Sequence, residues 1–219
     1  MVAGNSRLAP VRALLLALLL GSAGPEVLDR IAAVVGDDVL LEGDVERYAA
    51  IGLVERRADE TDGTYRDRVL FERVEDLLRE RELRKTAGFS PDPREVEARY
   101  AALAERASKA RGVPFDRVLL AAGVTRAEAL DWIRKGLALK TYVLERLLPT
   151  VKVSEEEMEA FYAGPFQVEA RAKGLAVVPP LREVEDQVRA LLRERKLNAE
   201  IERWTDELRR KTRVVIYRR

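Results

Sequence analysis

The residues best placed to do chemistry are four acids, Glu155, Glu156, Glu157 and Glu159, in the run SEEEMEAFY. Carboxylates this close together could hold a metal ion or work as an acid–base pair. Their setting points elsewhere. Ser154-x-x-Glu157 has capping-box spacing, and acids in the first turn of a helix are favoured by its macrodipole. The chain has no cysteine and no histidine. That excludes Ser-His and Cys-His nucleophile pairs and removes the usual neutral-pH base and the commonest metal ligand. No glycine-rich phosphate loop is present, so no cofactor and no metal is expected. What remains is binding through apolar surface. Tyr100, Trp132, Tyr142, Phe161, Tyr162 and Trp204 are the candidates for covering apolar segments of another chain, and each competes with a place in an ordinary core. Phe161 and Tyr162 are adjacent on one helix and point in different directions, so one of them should meet solvent or the segment 164–180.

The elements that would position these side chains are punctuated clearly. Ile31 to Val35 and Val39 to Leu41 are apolar, partly β-branched runs separated by Gly36-Asp37-Asp38, a hairpin pattern. A short helix follows over 44–50, then a polar, mobile loop over 55–63. Thr64-x-x-Asp67 caps a helix to about Ala87, stopped by Gly88. Asp92-Pro93-x-Glu95 combines an N-cap, a first-turn proline and a capping-box acid for a helix ending near Gly112. Pro114 opens a short helix stopped by Gly123. Thr125-x-x-Glu128 boxes the central helix, which runs to Leu148 with two apolar stripes, one through Leu130, Ile133, Leu137, Leu144 and Leu148 and one through Trp132, Leu139, Val143 and Leu147. GPFQVEARAKGLAVVPP, residues 164–180, breaks the pattern and allows a strand or two. A long amphipathic helix covers 181–211, and Val214 to Tyr217 reads as a strand. A lone hairpin is marginal and a lone strand needs a partner, so the two should pair in one small sheet. The fold class is mainly α, a multi-helix body with a sheet joining the N-terminal hairpin to the C-terminal strand.

Residues 1–23 have the order of a secretory signal: Arg7 and Arg12, an apolar run from Ala13 to Leu20, then Gly21-Ser22-Ala23. Cleavage is placed after Ala23, with Gly24 as the neighbouring alternative. The apolar run is eight residues long, well short of the roughly 20 needed to span a bilayer. Removal of this segment would turn the net charge from +1 to −1. Charged residues make up 35% of the chain and alternate in sign, as on solvated helix faces and unlike a basic nucleic-acid footprint. An exported chain without cysteine has no disulfide framework.

The order of elements resembles the SurA-type periplasmic chaperone family, whose members carry parvulin-like prolyl isomerase domains. VLDRIAAVVGDDVLLEGDVERY looks like the family's opening hairpin and helix. RVLFERVEDLLRERELRKTAGFSPDPREVEARYAALA looks like its next two helices, and VPFDRVLLAAGVTRAEALDWIRKGLALKTYVLERLLPTVKVSEEEMEAFY like those that follow. VRALLRERKLNAEIERWTDELRRKTRVVIYRR looks like its C-terminal helix and strand. Together these cover nearly all of residues 24–219. The departure is at 164–180, where 17 residues stand in place of the parvulin domain. VEARAKGLAVV resembles at most a remnant of its first strand, and the histidine pair typical of a parvulin site is missing.

The resemblance implies a chaperone body, 24–163 plus 181–219, joined by the linker 164–180 and lacking the isomerase. The expected function is an exported, ATP-independent chaperone in the periplasm that binds unfolded or nascent envelope and outer-membrane proteins. The balanced charge gives no reason to expect a nucleic-acid partner, and with no other apolar run long enough to span a bilayer, no stable membrane insertion of the mature chain is expected. Two other readings stay open: a parvulin-linked prolyl isomerase, and an assembly module that forms a homodimer.

Overall fold

Gly36 and Asp37 form the two-residue loop of the hairpin between β1 (Ile31–Val35) and β2 (Asp38–Leu41). Gly36 has φ +61°, and a Cβ there would lie 2.6 Å from the Arg81 guanidinium carbon. The positive φ favours glycine, and a larger residue would also displace the flexible end of the Arg81 side chain. The same guanidinium reaches Asp37 at 3.2 Å and Asp38 at 2.8 Å, and Arg84 reaches Asp38 at 2.8 Å. Burial of Asp38 opposes its charge, but the two arginines outweigh it and hold its carboxyl below the ordinary value. The turn is thereby clamped to the end of a helix some forty residues on.

In this computed structural model, residues 29–86, 88–175 and 177–217 are described. The expected leader and its cleavage site at Ala23 lie outside them. The fold is mainly helical with one three-stranded antiparallel sheet in the order β2-β1-β3. β3 (Val214–Ile216) pairs with β1 in the register Ala33↔Ile216, Val34↔Val215, Val35↔Val214. Gly36 N–H donates to the Arg213 carbonyl and Tyr217 N–H to that of Ala32, at 2.8 and 2.9 Å. The hairpin and the last strand therefore close on each other, as their lack of other partners demands.

The helices are α1 (Glu42–Ala50), α2 (Asp62–Lys85), α3 (Pro93–Arg111), α4 (Phe115–Ala122), α5 (Arg126–Tyr142), α6 (Glu155–Phe161), α7 (Gln167–Ala172) and α8 (Leu181–Lys211). Among the described residues, no helix is long and apolar enough to cross a membrane. The boxes Thr125–Glu128 and Ser154–Glu157 form as expected, and Gly112 and Gly123 are left-handed stops. Four expectations need correction. The cap of α2 is Thr61, not Thr64: its side chain accepts from the Thr64 N–H, and Asp62-Gly63 lie inside the first turn. Asp92 caps α3 by accepting from Arg94 N–H, but Glu95 leaves the cap for Lys140, 3.2 Å away. The central helix changes at Val143–Leu147 into a π turn. The extra residue per turn rotates the apolar stripe, so Leu147 is buried while Leu144 is 46% exposed. Residues 164–180 contain no strand. Gly164-Pro165 is absorbed in a second π turn, Tyr162–Phe166, and the chain continues as α7. The widened turn accommodates the missing proline N–H. It also puts Phe166 and Ala170, four residues apart, on one buried face.

Three apolar cores result. The first joins α3, α4 and α5 around Leu103, Phe115, Ile133 and Leu137. The second lies between the sheet, α1, α2 and the end of α8, around Val35, Val45, Leu78 and Leu208. The third holds Met158, Phe161 and Phe166 against Val188 in the first half of α8.

The polar loop after α1 is tied down rather than free. The Arg68 guanidinium grips Glu60 at 2.6 and 2.8 Å and the Glu55 carbonyl at 2.7 Å. Arg68, against the opposing effect of burial, draws the Glu60 carboxyl down to about 2, helped by the Arg57 N–H. A depressed acid contributes stability above its unfolded value, lost as the pH falls through the folded one. The protection factors of residues 55–61, corrected for intrinsic exchange, are therefore expected to hold at pH 5 and to fall between pH 4.5 and about 2, with Arg68→Gln unprotected throughout. Equal protection at pH 5 and pH 2 would refute the clamp.

Candidate functional site

Small residues on α3 and α5 leave room between these helices. Ala98 and Ala102, four apart on α3, face Trp132, Ile133, Gly136 and Leu137 of α5 across an open groove of about 630 Å³. Gly136 is helical, and a Cβ there would meet nothing within 4 Å, so it marks vacant space. Tyr48 of α1 and Leu53 close one end beside Trp132. The Tyr48 and Trp132 rings meet edge to face at 5.3 Å. From Trp132 to Lys140 the groove follows eight residues of helix, about 12 Å. At the far end, Lys140 pairs with Glu95 of α3 at 3.2 Å. The groove lies on the seam where Tyr48 of the second core meets Trp132 of the first.

Behind Tyr48 sits a charged cluster on α2. The Arg73 guanidinium packs on the Tyr48 ring at 4.6 Å and contacts Asp76 and Glu80 at 3.2 and 3.4 Å. Arg79 reaches Asp76 at 3.6 Å and donates to Thr205 Oγ1 of α8 at 2.9 Å. Burial pushes the Asp76 carboxyl up against the pull of Arg73 and Arg79. Burial, with Asp76 nearby, pushes the Tyr48 phenol up to about 12. Tyr48 is thus an uncharged wall of the groove at any ordinary pH.

Of the six aromatic candidates, only Trp132 lines this groove. Tyr100 packs edge-on to Phe115 at 5.5 Å, under Arg126, in the first core. Tyr142 stacks on Trp204 at 4.7 Å and meets Phe89 at 5.2 Å, stapling α5 to α8. Phe161 is buried beside Phe166. Tyr162 faces the 164–180 segment, donating its hydroxyl to the Pro179 carbonyl at 2.8 Å. That answers the question raised by the adjacent pair. The candidates fall into separate groups and do not converge on a single surface. No known protein family matches this chain, and neither does any curated protein.

Three of the four acids of α6, Glu155, Glu156 and Glu157, lie in its first turn, where the macrodipole favours them. Glu157 accepts from Ser154 N–H at 2.9 Å and holds Lys196 of α8 at 2.6 Å. Lys196, then the cap N–H, hold its carboxyl below the ordinary value. Among the described residues, no group of acids is arranged to hold a metal ion. Sequence reasoning missed Tyr48, Ala98, Ala102 and Gly136. Their one signal is a lack of bulk: Ala98 and Ala102 repeat at helical spacing on a face that carries no large apolar residue.

Proposed function

We propose that this chain is an exported, ATP-independent chaperone that shields unfolded envelope or outer-membrane proteins by holding their apolar segments in the α3–α5 groove. One observation carries the reading: a solvent-open groove, floored by small and apolar residues with two aromatic rings at one end, in a chain without histidine or cysteine. Unfolded chains are held by whatever covers their exposed apolar surface, and this needs shape and apolar area, not bond-making groups. About 12 Å of helix-lined floor accommodates three to four residues of extended chain at 3.3 Å each. Such a short contact favours weak, reversible capture over tight recognition. The leader-like residues 1–23 support export.

The test is light scattering from an aggregating client. Equimolar protein is expected to suppress it. Gly136→Leu is expected to abolish suppression by filling the groove, while stabilising α5 by up to about 1 kcal/mol through helix propensity. A more stable protein that has lost its activity separates the groove from the fold. Full aggregation with the wild-type protein, or unchanged suppression by Gly136→Leu, would overturn the proposal.

A further inference from the structure

The groove's polar inventory is lopsided. Its charged lining residues are Glu95, Arg99 and Lys140. Glu95 and Lys140 neutralise each other. Arg99, on α3 between Ala98 and Ala102, makes no ion pair or hydrogen bond among the described residues. The indole N–H of Trp132 likewise has no hydrogen-bond partner among them. The wall therefore presents an unmatched cation and an unused donor, while its one carboxylate is already engaged. An occupant that brings only apolar side chains would leave Arg99 unanswered beside the surface it covers. One that brings an acceptor next to its apolar residues would satisfy it.

Resting on the groove reading above, we infer that the preferred occupant is an extended polypeptide segment in which aliphatic or aromatic residues lie next to an aspartate or glutamate, the carboxylate pairing with Arg99. The groove length sets the register. With three or four apolar residues between the Tyr48–Trp132 end and the Glu95–Lys140 pair, the acid falls beside or just outside the covered stretch. Lys140 supports the same choice. It can shift from Glu95 toward an incoming carboxylate, whereas an incoming lysine meets Arg99 and a carboxylate already in use. The selectivity is that of a partly exposed ion pair, about fivefold, and it weakens with salt.

Short dye-labelled peptides sharing one aliphatic core, flanked by glutamate, glutamine or lysine, test this by fluorescence anisotropy on the intact protein. The glutamate peptide is expected to bind about fivefold tighter than the glutamine peptide, with the lysine peptide weakest and the spread shrinking in 0.5 M salt, where the Debye length falls to about 4 Å. Arg99→Gln is expected to remove most of the spread and Arg99→Glu to reverse it, neither changing the protein's melting temperature, since the position is exposed. Equal affinities for all three peptides, with binding still abolished by Gly136→Leu, would overturn the acidic preference and leave the groove standing. Competition by dodecanoate as effective as by the glutamate peptide would overturn the choice of a polypeptide. Binding that ignores Gly136→Leu would overturn the groove itself.

Discussion

Arg73→Met is expected to destabilise the protein by about 3 kcal/mol at pH 7, and the deficit is expected to shrink in acid. Methionine keeps the apolar stem and fills much of the space, so lost packing contributes little. What it removes is the cation between Asp76 and Glu80. The Arg73 and Glu80 side chains are each 9% exposed, and Asp76 is 27% exposed. Breaking a buried pair from one side costs about 3–5 kcal/mol, and the partial exposure of Asp76 puts this case at the lower end. Arg79 still faces Asp76 at 3.6 Å, but Glu80 keeps no such neighbour at close range. The pH sign follows from Asp76, whose carboxyl burial already raises. A raised acid contributes its stability below the unfolded value and loses it as the pH climbs through the folded one. Without Arg73 the folded value moves higher still, so the variant suffers most where both acids are charged. Urea titrations at pH 7 and pH 4.5 should show the gap to wild type narrowing at the lower pH. Adding Glu80→Gln should recover part of the loss at pH 7. A gap that is the same at both pH values, or a double variant no more stable than the single, would show that the cluster is held by packing and not by charge.

That cluster illustrates what a linear reading reaches. The hairpin was legible because Gly36-Asp37 sits between apolar, partly β-branched runs, and the pairing of the last strand with that hairpin because a lone strand needs a partner, though not that β1 is the strand it joins. The boxes at Thr125 and Ser154 were legible because their partners are three residues away. Arg79 and Thr205 are 126 positions apart, and nothing local marks them as partners. Glu95 misled for the opposite reason: its local role as a capping acid was plausible, and a long-range partner, Lys140, outcompeted it. The π turns were hidden because Gly-Pro and an apolar stripe signal a break and a straight helix respectively, and a single inserted residue satisfies both. The groove was least legible of all. Large residues announce where they pack, but Ala98, Ala102 and Gly136 form a site by leaving space, and the aromatic residues that drew attention mostly spend themselves on holding helices together.

Val188→Asp is expected to open the third core without unfolding the rest. Val188 is fully buried among Met158, Phe161 and Phe166. An unpaired carboxylate there loses the apolar transfer energy of valine and adds the cost of a buried charge, together more than about 4 kcal/mol. The local result depends on how α8 is used. Its first half seals the third core at Val188, and its last turns seal the second at Thr205 and Leu208. Between Val188 and Thr205 it has no buried residue, so little apolar contact transmits a failure at one end to the other. The Tyr142–Trp204 stack and the Arg79–Thr205 hydrogen bond anchor α8 on the far side of that gap. Hydrogen exchange in the variant should therefore become fast in 155–172 and 181–192 and remain slow in β1, β3 and α2. Val188→Ala, costing about 1–2.5 kcal/mol, should loosen the same residues in milder form. Since the groove is built from α1, α3 and α5, the aspartate variant should still bind the glutamate-flanked peptide. Loss of protection throughout the chain in one step would mean instead that α8 couples all three cores into a single cooperative unit, and that the groove depends on a lobe it never touches.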